Sequence, residues 1–275
     1  MNNKSKILAR RKRGQINKSD LDGFKNYNIE ELIDLMNNEE PWKRTVAITL
    51  LDEKNEESAV KYLAEKFQDE DALYTRIAIS KALANFGEIA VPYLIDLLGK
   101  IGNNQEKTLP KKYFNKKSFP LPRDLAARTL SNLGKVSTTY LIELLNKDSL
   151  NKEDIFIKEQ AIDAVGRIAS KYDDHRALDS LKILSKKHKP YEIIQWKIAR
   201  ALSGFKKNEK ALNLLFNIIN EKPPVQIKWE IVRSVGQIGI FNEKTNKLLN
   251  SIDENNPNLI KSINIAKKEI KKEKL

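Results

Sequence analysis

The chain has 275 residues, of which 40% are hydrophobic, and its 50 Lys and Arg against 37 Asp and Glu give a formal net charge of +13. It contains no cysteine, which excludes disulfides, cysteine nucleophiles and thiolate metal sites and favours a reducing compartment. No run of about 18 apolar residues is present, and the basic N-terminal sequence is followed by polar residues rather than by the apolar core of a signal peptide. We therefore expect a cytoplasmic protein without a membrane span.

Three segments hold the excess of positive charge. Residues 1–25 contain eight Lys or Arg and two Asp, residues 100–123 contain seven Lys or Arg and one Glu, and residues 261–275 contain six Lys and two Glu. These segments carry +6, +6 and +4, so the rest of the chain carries a net −3. Basic segments attract phosphates and acidic surfaces in a salt-dependent way.

The first predicted element is a basic N-terminal arm, residues 1–28, which lacks helical periodicity and is expected to be mobile. Its candidate binding residues form one basic cluster: Arg10, Arg11, Lys12 and Arg13. Such a cluster is typical either of a solubilising tail or of an arm that docks on nucleic acid or an acidic protein. A helix is predicted at 29–36, and Pro41 is expected to begin its partner helix because proline suits a first turn.

Residues 76–102 show the unit that is repeated along the chain. Apolar residues recur with a helical period up to Phe86, Gly87 ends this helix, and a second apolar stripe follows. Two helices with one apolar face cannot bury that face alone, so neighbouring copies are needed. The pattern predicts helical pairs at 57–68 with 72–86, 88–101 with 122–133, 136–146 with 153–169, 175–187 with 191–206, and 210–221 with 225–238.

Alignment of the copies on Arg76 produces one anchor column, which consists of Arg44, Arg76, Arg123, Lys158, Gln195 and Lys228. Seven positions after each anchor the residue is aliphatic, as a shared core position requires. The segments 76–87, 123–134, 158–169 and 228–239 resemble the second helix of HEAT repeats, particularly the short HEAT-like units of the phycobilisome-lyase group. The resemblance implies an all-α fold, a right-handed α-solenoid or HEAT-like superhelix of about seven helical pairs. The array would cover residues 29–256, and residues 257–275 would form a polar capping helix with a basic tail.

The same resemblance implies a ladder in which an acidic residue in each turn pairs with a basic anchor. Asp71 with Arg76 and Asp154 with Lys158 match this pattern, whereas Gln195 departs from it. The repeat type is used by scaffolds, adaptors, lyases and DNA-repair enzymes, so the fold alone does not select a function.

An inserted loop, residues 102–122, interrupts the repeat between Arg76 and Arg123, where the spacing is 47 residues. Its prolines are incompatible with a helix. Basic and aromatic residues alternate in it, and these are candidate binding residues: Lys111, Lys112, Tyr113, Phe114, Lys116, Lys117 and Phe119. The aromatic side chains could stack on the bases of a single nucleic-acid strand, or they could simply pin the loop to the nearest helices.

The concave face is expected to present the residues one and five positions after each anchor, because these point away from the core stripe. The candidate binding residues on this face are Lys81, Arg128, Trp196, Arg200, Trp229 and Arg233. Each tryptophan precedes an arginine by four residues, so guanidinium can stack on indole, and both indoles are expected to be exposed. Ser203, Gly204 and Gly236 are expected to leave room for a ligand side chain. The alternative is that an indole packs against the next repeat.

No catalytic constellation is recognisable. The two histidines, His175 and His188, have no metal-spaced partners and are expected at the surface, so we predict no metal site and no cofactor. HEAT-like DNA glycosylases combine aromatic residues on the concave face with an acidic residue. Here the tryptophans are partnered by arginines, and the only acid in the column of those arginines is Asp163, with Glu159 four residues before it. Phosphate-binding glycine loops and serine-nucleophile motifs are absent.

Three functions are compatible with these patterns. The first is a non-enzymatic scaffold or adaptor that binds an acidic or extended protein segment in its concave groove. The second is a nucleic-acid-binding protein that contacts phosphates through the arm, the loop and the groove. The third, suggested by the resemblance alone, is an enzyme of the bilin-lyase group.

Overall fold

A computed structural model describes residues 3–102, 104–112, 119–148, 151–252 and 255–272 of the chain. Within these ranges the protein is entirely helical, without a β-strand, and its helices pack against their neighbours in sequence, which is consistent with an α-solenoid. No helix in the described ranges is long and apolar enough to cross a bilayer. The chain divides into two units, Met1–Ile101 and Gly102–Leu275, and each is described by itself.

The first unit contains six α-helices among its described residues, with 3-10 helices at Lys18–Phe24 and Gly87–Ala90. The α-helices are α1 (Asn3–Arg11), α2 (Ile29–Leu35), α3 (Pro41–Lys54), α4 (Ala59–Asp69), α5 (Leu73–Asn85) and α6 (Val91–Asp96). Helix α3 packs against α5, while α2 and α4 form the second layer. Core residues of both layers, such as Leu51, Leu63 and Leu83, are fully buried.

Local sequence sets the ends of these helices. Asn28 and Glu31 form a reciprocal capping box at the start of α2, in which each side chain accepts a hydrogen bond from the other residue's backbone N–H. Pro41 occupies the first turn of α3 as predicted. Asn55 ends α3 in the left-handed conformation (φ 51°), which asparagine tolerates better than most residues.

The N-terminal arm differs from the irregular segment that we expected. It contains α1, and Arg11 donates two hydrogen bonds to Asp20 while its guanidinium lies 4.1 Å from the ring centre of Trp42. Arg13 also approaches a ring, that of Tyr74, at 5.9 Å. The expectation of an arm without helical structure is therefore wrong, because short-range ion pairing and cation–π contacts hold part of it on α3 and α5.

The second unit contains nine α-helices in its described part. These are α7 (Leu125–Leu133), α8 (Lys135–Asn146), α9 (Lys152–Tyr172), α10 (Leu178–Lys187), α11 (Glu192–Leu202), α12 (Glu209–Asn220), α13 (Val225–Ile238), α14 (Glu243–Ser251) and α15 (Pro257–Lys272). Helices α9, α11, α13 and α15 pack in succession, and α8, α10 and α12 form a second layer against them. The sequence pattern did not predict α14.

Helix α15 buries one apolar stripe, and most of its other described positions are polar. Leu259, Ile263, Ala266 and Ile270 form a buried stripe with helical spacing, and α15 packs closely on α13. Lys261, Lys268 and Lys271 are exposed on the other faces of this helix.

Close helix packing explains three glycines of this unit, Gly166, Gly204 and Gly236. A Cβ on Gly166 would lie 2.6 Å from Ala201 Cα, and one on Gly236 would lie 2.8 Å from Ala266 Cα, while one on Gly204 would collide with the Gly166 carbonyl. The space beside Gly204 is thus filled by α9 and the space beside Gly236 by α15, and our expectation that this space is open to a ligand is wrong.

Two residues of the anchor column, Lys158 and Gln195, bind carbonyl groups at the end of the preceding helix. Lys158 Nζ donates to the carbonyls of Leu145 and Lys147 at the end of α8, rather than pairing with Asp154 as expected. Gln195 donates to the carbonyls of Ser185 and His188 at the end of α10. Helix C-termini leave such carbonyls without partners inside the helix, so these side chains link successive helices.

Candidate binding site on the second unit

The candidate site lies on the faces of α9, α11 and α13 in the second unit. Pro190 and the pair Pro223–Pro224 precede α11 and α13, which fixes the start of both helices. Trp196 and Arg200 share one face of α11, and Trp229 and Arg233 occupy the equivalent positions on α13. The segment 104–112, which precedes α7 in the chain, lies across these faces and is called the strap below.

Trp196 and Arg200 form the predicted stacked pair. The Arg200 guanidinium carbon lies 4.3 Å from the ring centre of Trp196, and Nη2 donates to Asp163 Oδ1 at 2.6 Å. Trp196 is only 5% exposed and Arg200 only 7%. The prediction of an exposed indole is therefore wrong for Trp196, which packs within its own unit, whereas Trp229 is half-buried.

Arg233 is also held in place by neighbouring side chains. It donates to the Glu230 carboxylate and, through Nη1, to Gln237 Oε1 at 2.9 Å, and only 5% of its surface is exposed. Glu230 Oε1 accepts from both Nε and Nη2, which fixes the plane of the guanidinium. The two arginines of the site are therefore preorganised by carboxylates on their own helices or on the preceding helix.

Lys197, Asp163 and Glu159 form a buried charge cluster beneath Arg200 that the sequence did not reveal. Lys197 is completely buried, and its Nζ donates to Asp163 Oδ2 at 2.9 Å and to the Glu159 carbonyl at 3.3 Å. Burial disfavours the charge of Asp163, but Arg200 and Lys197 outweigh this effect and lower its pKa.

The pKa of Glu159 shifts in the opposite direction to that of Asp163. Burial raises the pKa of its carboxyl from the ordinary 4.5 to about 7; Lys197 partly opposes this rise, while Asp163 and Glu106 reinforce it. Its Oε2 is buried and has no hydrogen-bond partner. The cluster therefore contains one carboxyl group that changes its charge near neutral pH.

The strap contributes a carboxylate to the basic face. Glu106 Oε1 lies 3.0 Å from Arg123 Nε and 3.2 Å from Arg200 Nη1, and Glu106 Oε2 lies 3.9 Å from Lys197 Nζ. Gln105 Nε2 donates to Asp124 Oδ2 at 3.3 Å, and Arg123 Nη1 donates to the Asn104 carbonyl at 3.2 Å. Glu106 is the single acid of the basic segment 100–123, which was the one sequence signal that could have singled it out.

A cavity of about 670 Å³ lies between the strap and helices α11 and α13. Six basic and two acidic side chains line it, together with both tryptophans of the site: Lys107, Lys111, Lys112, Arg123, Arg200, Arg233, Glu106, Glu230, Trp196 and Trp229. Two predicted loop residues, Lys111 and Lys112, thus meet four predicted groove residues, Trp196, Arg200, Trp229 and Arg233, in this cavity. The cavity combines a positive field with aromatic and proline surfaces.

The predicted loop residues have different surroundings. Lys111 and Lys112 are exposed at the rim of the cavity. Phe119 is buried against α9, where a Cβ on Gly166 would meet its ring at 2.7 Å, and its carbonyl accepts from Arg167 Nη1 at 3.4 Å. Phe119 therefore pins the chain to the helices, in keeping with the second of the two alternatives above. Tyr113, Phe114, Lys116 and Lys117 lie outside the described residues.

The remaining predicted site residues do not line this cavity. Arg128 donates to the Pro122 carbonyl through Nε and Nη2, at 3.0 and 2.8 Å. Lys81, in the first unit, is exposed and lies 3.9 Å from Asp52 Oδ2. Arg10 and Lys12 are exposed on the N-terminal arm.

Neither histidine lies near the site's charge cluster. His175 is partly exposed and contacts Asn208 Nδ2 through Nδ1 at 3.1 Å. His188 is buried, so its expected surface position is wrong, and burial together with Lys158 and Lys187 lowers its pKa.

Comparison with known families identifies the repeats. A family model described as HEAT repeats matches residues 29–104. The helical architecture of the described chain is consistent with a HEAT-repeat protein. No curated protein matches the chain.

Proposed function

We propose that this protein is a non-enzymatic HEAT-repeat scaffold that binds an acidic, extended protein segment on the α11–α13 face of its second unit. HEAT repeats commonly serve as protein-interaction scaffolds, which makes this class of function the natural starting point. The observation that carries the proposal is the composition of the cavity, in which six cationic side chains face two carboxylates beside two tryptophans. Tryptophan and arginine are the residue types most enriched at binding hot spots.

The buried arginines support the same proposal. Because Arg200 and Arg233 are already oriented by Asp163 and Glu230, a ligand carboxylate would not have to immobilise them on binding. The exposed Lys111 and Lys112 at the rim would add attraction that depends on salt.

Binding of a labelled acidic peptide tests the proposal. The probe is a fluorescein-labelled peptide of Glu, Gly, Ser and Pro, and the reference is the same peptide with Gln in place of Glu. We expect binding of the acidic peptide at about 50 mM salt, measured by fluorescence anisotropy, and a weaker signal for the reference. The double variant Lys111→Glu with Lys112→Glu should lower the affinity by about tenfold without changing the fold.

The matched control is the double variant Lys182→Glu with Lys210→Glu, which reverses the charge of two exposed lysines elsewhere in the second unit. An equal loss of affinity in both double variants would mean that only net charge matters, and it would contradict a defined site. A single-stranded oligonucleotide forms a further arm of the experiment. If it binds more tightly than the acidic peptide and loses affinity in the Lys111 and Lys112 double variant, the partner is nucleic acid rather than protein.

A further inference from the structure

We propose that the strap is an internal ligand of the basic cavity, and that the partner segment displaces it by presenting the same chemistry, a carboxylate on an extended chain followed by an apolar proline-containing stretch. This inference rests on the proposed function and specifies both the ligand and its competitor. The strap has this pattern itself, because Glu106 is followed by Leu109 and Pro110, which line the same cavity.

The carboxylate of Glu106 occupies the position that a ligand would take. It bridges Arg123 and Arg200 through one oxygen, at 3.0 and 3.2 Å. Pairing of this kind in a partly buried site is stronger than at a free surface, which explains why the strap lies on the helices rather than away from them.

The fit of the strap is nevertheless incomplete. Glu106 Oε2 and Arg200 Nε are both buried and have no hydrogen-bond partner, although both residues line the cavity. Buried polar groups that lack a partner cost free energy, so a ligand that replaces the strap and also supplies an acceptor for Arg200 Nε would bind better than the strap does. The cavity therefore retains unused hydrogen-bonding capacity for a partner.

Opening of the strap requires little loss of packing. Its residues form no helix, Lys107 and Thr108 are exposed, and Leu109 and Pro110 are only partly covered. Segments with few buried apolar contacts open at low free-energy cost. A site that is closed for part of the time shows a reduced apparent affinity, in proportion to the open fraction.

Glu106→Gln provides the test, because it removes the charge that holds the strap while retaining the side-chain shape. In the full-length variant we expect the acidic peptide described above to bind about tenfold more tightly than to the wild type. We also expect faster acrylamide quenching of Trp196 and faster tryptic cleavage after Lys107. Glu143→Gln, at an exposed position on α8, is the matched control and should leave all three measurements unchanged.

A synthetic peptide of residues 104–112 tests the pattern itself. It should bind the Glu106→Gln protein detectably and the wild type at least about tenfold more weakly, and a version with Gln at position 106 should bind neither. Melting by circular dichroism checks folding, and if Glu106→Gln fails to fold, Gln105→Ala replaces it as the strap-weakening variant.

Two outcomes separate this inference from the proposed function. If the acidic peptide binds the wild type and Glu106→Gln with equal affinity, the strap is no competitor and the inference is wrong while the scaffold proposal stands. If the acidic peptide binds no variant, the proposed function itself fails. Tighter binding to Glu106→Gln but not to Glu143→Gln supports both.

Discussion

Helices α5 and α11 carry equivalent repeat positions in the two units, yet these positions have opposite exposure. One and five positions after the anchor, α5 presents Ile77, which is 55% exposed, and Lys81, whose side chain is 73% exposed. The same positions of α11 hold Trp196 and Arg200, which are 5% and 7% exposed. The helical period thus identifies the face on which a residue lies, but not whether that face remains open to solvent.

The difference arises from what each unit places over that face. In the second unit, Asp163 on α9 and Glu106 on the strap neutralise Arg200, while Lys197 adds a buried cation beside them. In the first unit, Asp52 accepts from Asn85 Nδ2 at 2.9 Å and lies 3.9 Å from the exposed ammonium of Lys81. Carboxylates that link successive helices should therefore contribute very differently to stability in the two units.

The largest expected effect is that of Asp163→Asn. This change leaves Lys197 and Arg200 buried without their carboxylate, and we expect the free energy of unfolding to fall by about 3 kcal/mol. Asp52→Asn is the matched change in the first unit and should cost about 0.5 kcal/mol, since its partners are exposed and an amide still accepts from Asn85. Urea unfolding followed by circular dichroism measures both, and equal losses would remove the distinction between the units.

Much of the fold follows from the sequence, and the site follows only in part. The repeat frame placed Trp196, Arg200, Trp229 and Arg233 on one face, and it predicted the stacking of Arg200 on Trp196, because these relations depend only on spacing along a helix. The contact between Glu106 and Arg200 joins residues 94 positions apart, and no local pattern specifies which distant helix a loop will cover.

Buried charge was equally hard to anticipate from residue type. Lysine is almost never fully buried unless it is paired, so Lys197 was not expected in the core, and only the three-dimensional placement of Asp163 makes its burial possible.

The next effect in size depends on pH and concerns Glu159 in the second unit. Because the carboxyl pKa rises from 4.5 unfolded to about 7 folded, the folded protein retains a proton that the unfolded chain has released within this window. Stability therefore falls as the pH rises through the window, and the penalty is complete above about pH 7. We expect Glu159→Gln to remove about 2 kcal/mol of this pH-dependent loss.

The measurement compares the unfolding free energies of wild type and Glu159→Gln at about pH 5 and about pH 8. The unfolding free energy of Glu159→Gln should rise relative to that of the wild type as the pH rises. Glu143→Gln, at an exposed position, should change with pH as the wild type does. If the difference in unfolding free energy between the wild type and Glu159→Gln stays constant with pH, Glu159 is ionised throughout this pH range. The cluster would then resemble the exposed charges of the first unit.

The smallest effect is expected for Lys81→Ala, which tests the open side of the comparison. The ammonium of Lys81 lies 3.9 Å from Asp52 with most of its side chain in water, so its pairing is weak and screened by salt. We expect a change in unfolding free energy of less than about 0.5 kcal/mol, similar to that of Lys61→Ala, whose partner Glu65 is also at 3.9 Å and exposed. A loss of unfolding free energy well above that of Lys61→Ala, persisting at high salt, would mean that Lys81 is buried and paired in the way that Arg200 is. The same repeat position would then be closed to solvent in both units.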